Sequence, residues 1–166
     1  MTSLAELAAR ITSAGDDRFD LASARAAALE NRTAHWVGEF LAASGNVVLG
    51  AALAHHPHWW LGPLRVPLRA LVRLAGPEDG IDCPIAPGEW DHDVGAMEDS
   101  LDDGWEPPPL LSCVEAGALV LHDGNHRYEA LQRAGADAAW VLVWFDDPSE
   151  RAAFAARAGL PAPGLG

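Results

Sequence analysis

Apolar side chains recur at helical spacing through the first part of the chain. Leu4, Leu7, Ala8 and Ile11 make one stripe, and from Phe19 to Ala43 the residues Leu21, Ala24, Ala28, Trp36, Val37, Phe40 and Leu41 fall on compatible turns. Ser44-Gly45-Asn46 stops that run. Val47 to Ala54 is a further apolar segment read as helix, although its β-branched start leaves a strand open. After Gly62 the period changes. Leu64-Arg65-Val66-Pro67-Leu68 alternates as an opening strand, and Pro67, with no N–H to donate, places it at a sheet edge. Gly76-Pro77-Glu78-Asp79-Gly80 is a turn cluster. Asp91 or Asp93 then precedes a helix of about ten residues, with Val94, Met97 and Leu101 as its buried stripe and Gly104 as its stop.

Trp105-Glu106-Pro107-Pro108-Pro109 holds the chain extended, because a residue before proline is pushed out of the helical region, and it leads into a strand from Leu110 to Val114. A turn at Glu115-Ala116-Gly117 precedes a second strand, Leu119 to Leu121. That strand meets an Asp123-Gly124 turn. Tyr128, Leu131 and Ala134 are then helically spaced, with Gly135 where a helix stops. Ala139 to Phe145 is a strongly apolar strand, and Pro148-Ser149-Glu150 opens a final helix through Arg157. The fold class is α+β. A helical N-terminal cap covers residues 1–61, a small mixed sheet with helices covers 62–158, and a flexible Pro/Gly tail covers 159–166.

The strand, turn and helix around Asp123-Gly124-Asn125-His126-Arg127 carry the chemistry. The first N–H groups of a helix have no intrahelical acceptor, and the helix dipole favours an anion there. Gly124 lets a ligand approach the backbone without a Cβ in the way, and Arg127 offers a planar fork suited to phosphate oxygens. These five residues read as a phosphate site; a plain acidic turn with Asn125 as a cap is the alternative.

The same residues resemble the signature of the ParB/sulfiredoxin superfamily. Gly124, Arg127, Ala130, Ala134 and Gly135 match the G-x-x-R-x-x-A-x-x-x-A-G box of ParB-type partition proteins. Gly124, His126, Arg127, Tyr128 and Ala130 match the G-C-H-R-Y-x-A run of sulfiredoxins, and Asp123-Gly124-Asn125-His126-Arg127 is similar to the D-G-H-H-R of ParB-like free serine kinases. The resemblance implies a ParB/sulfiredoxin-like small mixed sheet that binds nucleotide phosphates at the helix start. It also implies an acidic residue soon after the first strand as the base on an acceptor hydroxyl, with Glu78 the nearest match; Glu129, on the box helix, is a second candidate base. Two departures narrow the reading. Asn125 stands where sulfiredoxin has its cysteine nucleophile, which excludes sulfinic acid reductase chemistry. Only a short stretch follows Gly135, so the helix-turn-helix of partition proteins and its centromere-type DNA binding are not expected.

A net charge of −13 opposes unassisted binding to a polyanion. All 11 basic residues are Arg, so no Lys can serve as a phosphate ligand or Schiff-base former, and positive charge in a site must come from Arg or His. The lack of Lys, with abundant Ala and Gly, is read as codon bias of a high-GC, bacterial genome. Cys83 and Cys113 have no zinc spacing and read as free buried thiols of a reducing cytoplasm. No apolar run has the length of a transmembrane helix and no signal core opens the chain, so a cytoplasmic protein is expected.

His55-His56-Pro57-His58-Trp59-Trp60 places imidazoles two apart, which can converge on zinc or nickel. No Cys, Asp or Glu supplies a further ligand at a familiar spacing. The run is therefore read as a packed loop with an aromatic plug, no residue is assigned as a metal ligand, and stacking of Trp59 or Trp60 on a nucleobase stays open.

The expected function is nucleotide binding, of ATP or a related di- or triphosphate, with Mg2+-dependent phosphoryl transfer or hydrolysis on a small acceptor. Gly124, Asn125, His126 and Arg127 would cradle the phosphates, Asp123 would orient the turn or contact Mg2+, and His126 would meet the transferred phosphoryl group. The alternatives are a non-catalytic nucleotide sensor and a ParB-like nucleic-acid accessory protein, the latter opposed by charge.

Overall fold

The Ala-rich segment after Phe19 folds as two helices rather than one. In the computed structural model, which describes residues 18–164, α1 spans Leu21–Leu29 and α2 spans Thr33–Ser44. Between them Asn31 has a left-handed φ of 58°, which Asn tolerates better than most side chains, and there the first helix ends. Asp20 caps α1 by accepting the Ser23 N–H at 2.7 Å. Gly45 ends α2 with φ 85°, and the Asn46 side chain caps α3, Val47–Ala54. The stripe of Leu4, Leu7, Ala8 and Ile11 lies outside the described residues.

Strand β1 runs Trp59–Pro67, starting earlier than the alternation around Leu64 predicts. Trp59 and Trp60 are thus strand residues, not a loop plug. As neighbours in a strand they face opposite ways, Trp60 packing with the cap and Trp59 with the other side of the sheet. After a 3-10 turn at Leu68–Ala70 come β2 (Leu71–Arg73), β3 (Ala75–Gly76) and β4 (Cys83–Pro84). Helix α4 spans Pro87–Asp102, longer and earlier than expected. Pro87 stands in its first turn, where a missing N–H breaks no intrahelical bond, so Asp91 and Asp93 lie inside the helix rather than before it. β5 (Leu110–Glu115), β6 (Ala118–Asp123), α5 (Asn125–Arg133), β7 (Ala138–Phe145) and α6 (Pro148–Arg157) complete the chain.

The sheet is mixed, in the order β1-β7-β5-β6-β2. β7 runs antiparallel to β1 and parallel to β5, the β5–β6 hairpin is antiparallel, and β2 joins β6 in parallel. β1 is an edge, as Pro67 predicts, and it is irregular between Leu61 and Leu64. β3 and β4 form a separate two-residue ladder.

Alternation along the strands gives the sheet two apolar faces. On one, Leu111, Cys113, Leu142 and Trp144 meet Phe19, Trp36, Phe40 and Leu41 of the cap. On the other, Leu110, Leu121, Val141, Val143 and Phe145 meet Tyr128 of α5 and Phe154 of α6. α4 packs outside α5 through Trp90 and Val94 against Ala130. The α+β architecture is therefore layered: cap helices, sheet, then α5 and α6, with α4 outermost. No described helix is long and apolar enough to cross a membrane.

Leu41 is fully buried, at 0% exposure, where the cap meets the sheet. Leu41→Ala is expected to cost about 3 kcal/mol, in a single urea transition followed alike by tryptophan fluorescence and far-UV circular dichroism. Two separated transitions would show that cap and sheet unfold independently.

Candidate functional site

The junction of β6 and α5 is shaped by Gly124. Its φ is 96°, and a Cβ built on it would lie 2.6 Å from Leu110 Cδ2 and 2.7 Å from Arg127 Nη2. The left-handed backbone thus calls for glycine, and a Cβ would in addition crowd the ends of two side chains of the protein itself. That reason differs from the expected one, close approach of a ligand. No side chain caps α5, whose first N–H groups lack intrahelical acceptors.

The polar side chains of the box are drawn into tertiary contacts. Asn125 is buried; its Oδ1 accepts from Leu74 N (3.0 Å) and Ala75 N (3.2 Å), and its Nδ2 donates to Leu121 O (3.3 Å). It ties the start of α5 to the end of β2. Arg127 is 7% exposed. Its Nη2 donates to Asp123 Oδ2 at 2.6 Å, its Nη1 donates to Pro108 O at 3.2 Å, and its guanidinium lies 5.2 Å from the centre of the Phe40 ring. The other Asp123 oxygen accepts from Asn46 Nδ2 at 2.7 Å. Asp123 therefore orients the turn, and the fork of Arg127 is held by protein oxygens.

His126 is placed differently. Its ring tilts against Trp90 with centroids 4.4 Å apart, and Nε2 is buried without a hydrogen-bond partner, 3.8 Å from Asp93 Oδ2. Burial holds its pKa below the usual 6.5, with Asp93 and Glu89 pulling it up and Arg73 pushing it further down, so the ring is neutral at pH 7.

Glu78 and Glu129 converge elsewhere, on Arg73. Arg73 pairs with Glu78, lies 4.0 Å from Glu129 Oε2 and sits 5.0 Å from the Trp90 ring centre. Glu129 also accepts from Arg133 Nε at 2.9 Å. Sequence reasoning missed Arg73, for which no local signal exists. It also missed Trp90, although Trp90 extends the stripe of Val94, Met97 and Leu101 back by one turn.

A cleft of about 900 Å³ opens in front of the box. Asp123, Gly124, Asn125, His126 and Arg127 all line it, α4 contributes Asp93 and Met97, the following loop contributes Asp103, and the cap closes one wall with Phe40 and Ser44. Glu78 and Glu129 are not among its lining residues. The structure thus brings the five box residues together at one cavity and sets the two expected bases apart from it.

The cysteines lie outside this cleft. Cys83 is exposed, not buried as expected, because its two-residue strand sits at the surface; Cys113 is buried. Burial, then the hydrogen bond to Glu115, push the Cys113 thiol up to about 12. Glu115 accepts from Cys113 at 3.2 Å and lies 2.5 Å from His122 Nε2, and that histidine contact is the main reason its carboxyl is held low.

No family model matches the chain, and no curated protein sequence matches it. Among solved structures it is similar to sulfiredoxin from Arabidopsis thaliana, with a TM-score of 0.36 and 21% identity over 48% of this chain and 81% of that one. It is also similar to a Pnob8-like ParB-N domain, with a TM-score of 0.33 and 21% identity over 57% of this chain and 32% of that one. Both protein types are those the box resembles. The likeness is partial and reaches no residue's role.

Arg127→Ala is expected to destabilise the apo protein by about 3 kcal/mol, since it leaves the Asp123 carboxylate buried without its cation. Chemical denaturation measures this, and an unchanged midpoint would refute the pairing. The lowered His126 pKa has a definite sign. The unfolded chain holds that proton more tightly, so the contribution of the neutral ring is complete above about pH 6.5 and is lost as pH falls through the lower folded value. Acidification from pH 7 should then destabilise wild type more steeply than His126→Gln; equal slopes would show that the ring titrates alike in both states.

Proposed function

We propose that the cleft binds a nucleoside di- or triphosphate together with Mg2+, and that His126 contacts the phosphoryl group that is transferred or hydrolysed. The observation that carries this reading is the uncapped start of α5, which opens on the cleft beside a neutral imidazole whose Nε2 has no partner. Backbone N–H groups at a helix start favour an anion, and a neutral imidazole can accept a proton or donate one to phosphate oxygen.

The charge of the cleft bears on the metal. Asp93 and Asp103 line it, and they would repel a bare polyphosphate. Oxygen donors of this kind suit Mg2+, which binds through one or two carboxylates and the phosphates themselves. Asp93 and Asp103 would hold the ion, which neutralises charge on the phosphates when bound. Asp123 is engaged by Arg127 and Asn46 and has the lesser claim. The acceptor is a small molecule, since a cleft walled by cap and α4 admits one more readily than a macromolecule.

A non-catalytic nucleotide sensor is the second reading. It is favoured by the placement of Glu78 and Glu129, each ion-paired and neither lining the cleft, which leaves His126 without a carboxylate base from either. Binding to a polyanion is opposed by the charge of −13.

The test is a thermal-shift and calorimetry series with ATP and ADP, each with and without MgCl2. Ligand at about a hundred times Kd should stabilise by about 2.7 kcal/mol, a rise of roughly 5–10 °C in Tm for a domain of this size, and only with Mg2+ present. His126→Ala should then lower single-turnover phosphoryl release more than it weakens binding. Absence of any shift would refute nucleotide binding, and binding without turnover would leave the sensor.

A further inference from the structure

His56, His58 and Asp146 meet where the cap joins the edge of the sheet. In the antiparallel pairing of β1 with β7, Trp59 stands opposite Phe145. One step further along, His58 falls opposite Asp146, and cross-strand partners share a face. His58 Nδ1 lies 2.8 Å from Asp146 Oδ1, and the His56 and His58 ring centroids are 4.4 Å apart. One ligand atom from each of the three groups lies within 4.8 Å of the others.

A second observation points to a ligand there. The His58 side chain is only 6% exposed, yet neither of its ring nitrogens has a hydrogen-bond partner. Nδ1 approaches the Asp146 oxygen closely without the alignment of a hydrogen bond. A buried imidazole in this state has lost the bonds it makes with water, and a cation that accepts its lone pair removes that penalty at one of the two nitrogens. The other described cluster of this kind, Cys113, Glu115 and His122, is already satisfied by its internal contacts.

We propose that His56, His58 and Asp146 bind a divalent transition-metal ion of the zinc class, with water completing the coordination. Two imidazoles select Zn2+, Co2+ or Ni2+ over Mg2+ and Ca2+, and two nitrogens with one carboxylate match a zinc site that keeps an open position. The negative chain concentrates cations around it. The ion is a clip. His56 follows cap helix α3 and Asp146 lies between β7 and α6, so coordination fastens cap to sheet edge independently of the nucleotide cleft, which none of the three residues lines.

The experiment uses the full chain without a histidine tag, stripped with a chelator and titrated with ZnSO4, and with CoCl2 for its visible absorption. One Zn2+ per chain is expected, with a rise in Tm. Asp146→Asn and His58→Gln should each weaken Zn2+ by about tenfold or more, the least that disturbing a metal's ligand shell commonly costs. His55→Gln, adjacent to the ligands but outside them, should keep the wild-type affinity and Tm rise. Asp146 is 69% exposed, so its variant folds and keeps the test decisive even where His58→Gln does not. Absence of stoichiometric zinc on the wild type, equal affinity in Asp146→Asn, or equal losses in His55→Gln and Asp146→Asn would each overturn the proposal.

Discussion

The carboxylate of Asp123 is divided between two partners, Arg127 on the box helix and Asn46 at the start of the third cap helix. It is largely shielded from water, its side chain 13% exposed. A carboxylate there is tolerable only because both oxygens are bonded, one of them by a cation. The arrangement also fixes geometry. Asn46 holds the carboxylate with its amide while its own oxygen caps α3, and Arg127 reaches on to Pro108 O. One ion pair thus sets the cap, the proline loop and the box helix relative to one another, and these are three of the walls of the cleft.

This use of the box changes what its residues can do. Arg127 and Asn125 are donors and acceptors to the protein first. The cleft consequently offers one imidazole, His126, and one guanidinium already held by the protein, together with the carboxylates of Asp93, Asp103 and Asp123. An anion there competes with fixed negative charge unless it brings cations, and in a chain with no lysine no flexible ammonium group can reach in to assist.

Much of the fold is legible in the sequence because its signals are local. Asn46 followed by an unbroken apolar run marks Val47–Ala54, and Pro148 after Asp147 marks α6. The strand, turn and helix of the box follow from the change of period around Gly124. Features set by tertiary contact are not legible in this way. The start of α4 is hidden because Asp91 and Asp93 read as capping residues, although Pro87 fits the first helical turn. The bulk that would crowd a Cβ at Gly124 belongs to Leu110 and Arg127, and the carboxylate that faces His58 is supplied by strand register across the sheet. Arg73 gathers Glu78 and Glu129 through approach of β2 to α5, which no spacing announces.

The sheet ends abruptly on both sides. At one edge β1 is irregular between Leu61 and Leu64 and contains Pro63 and Pro67, neither of which has an N–H to offer an incoming strand. At the other, β2 is three residues long. Neither border is a template on which another extended chain can continue the ladder, so self-association through strand addition is disfavoured at both. Association at either border of this sheet therefore rests on side-chain surfaces, where recognition depends on shape and charge rather than on repeated backbone pairing.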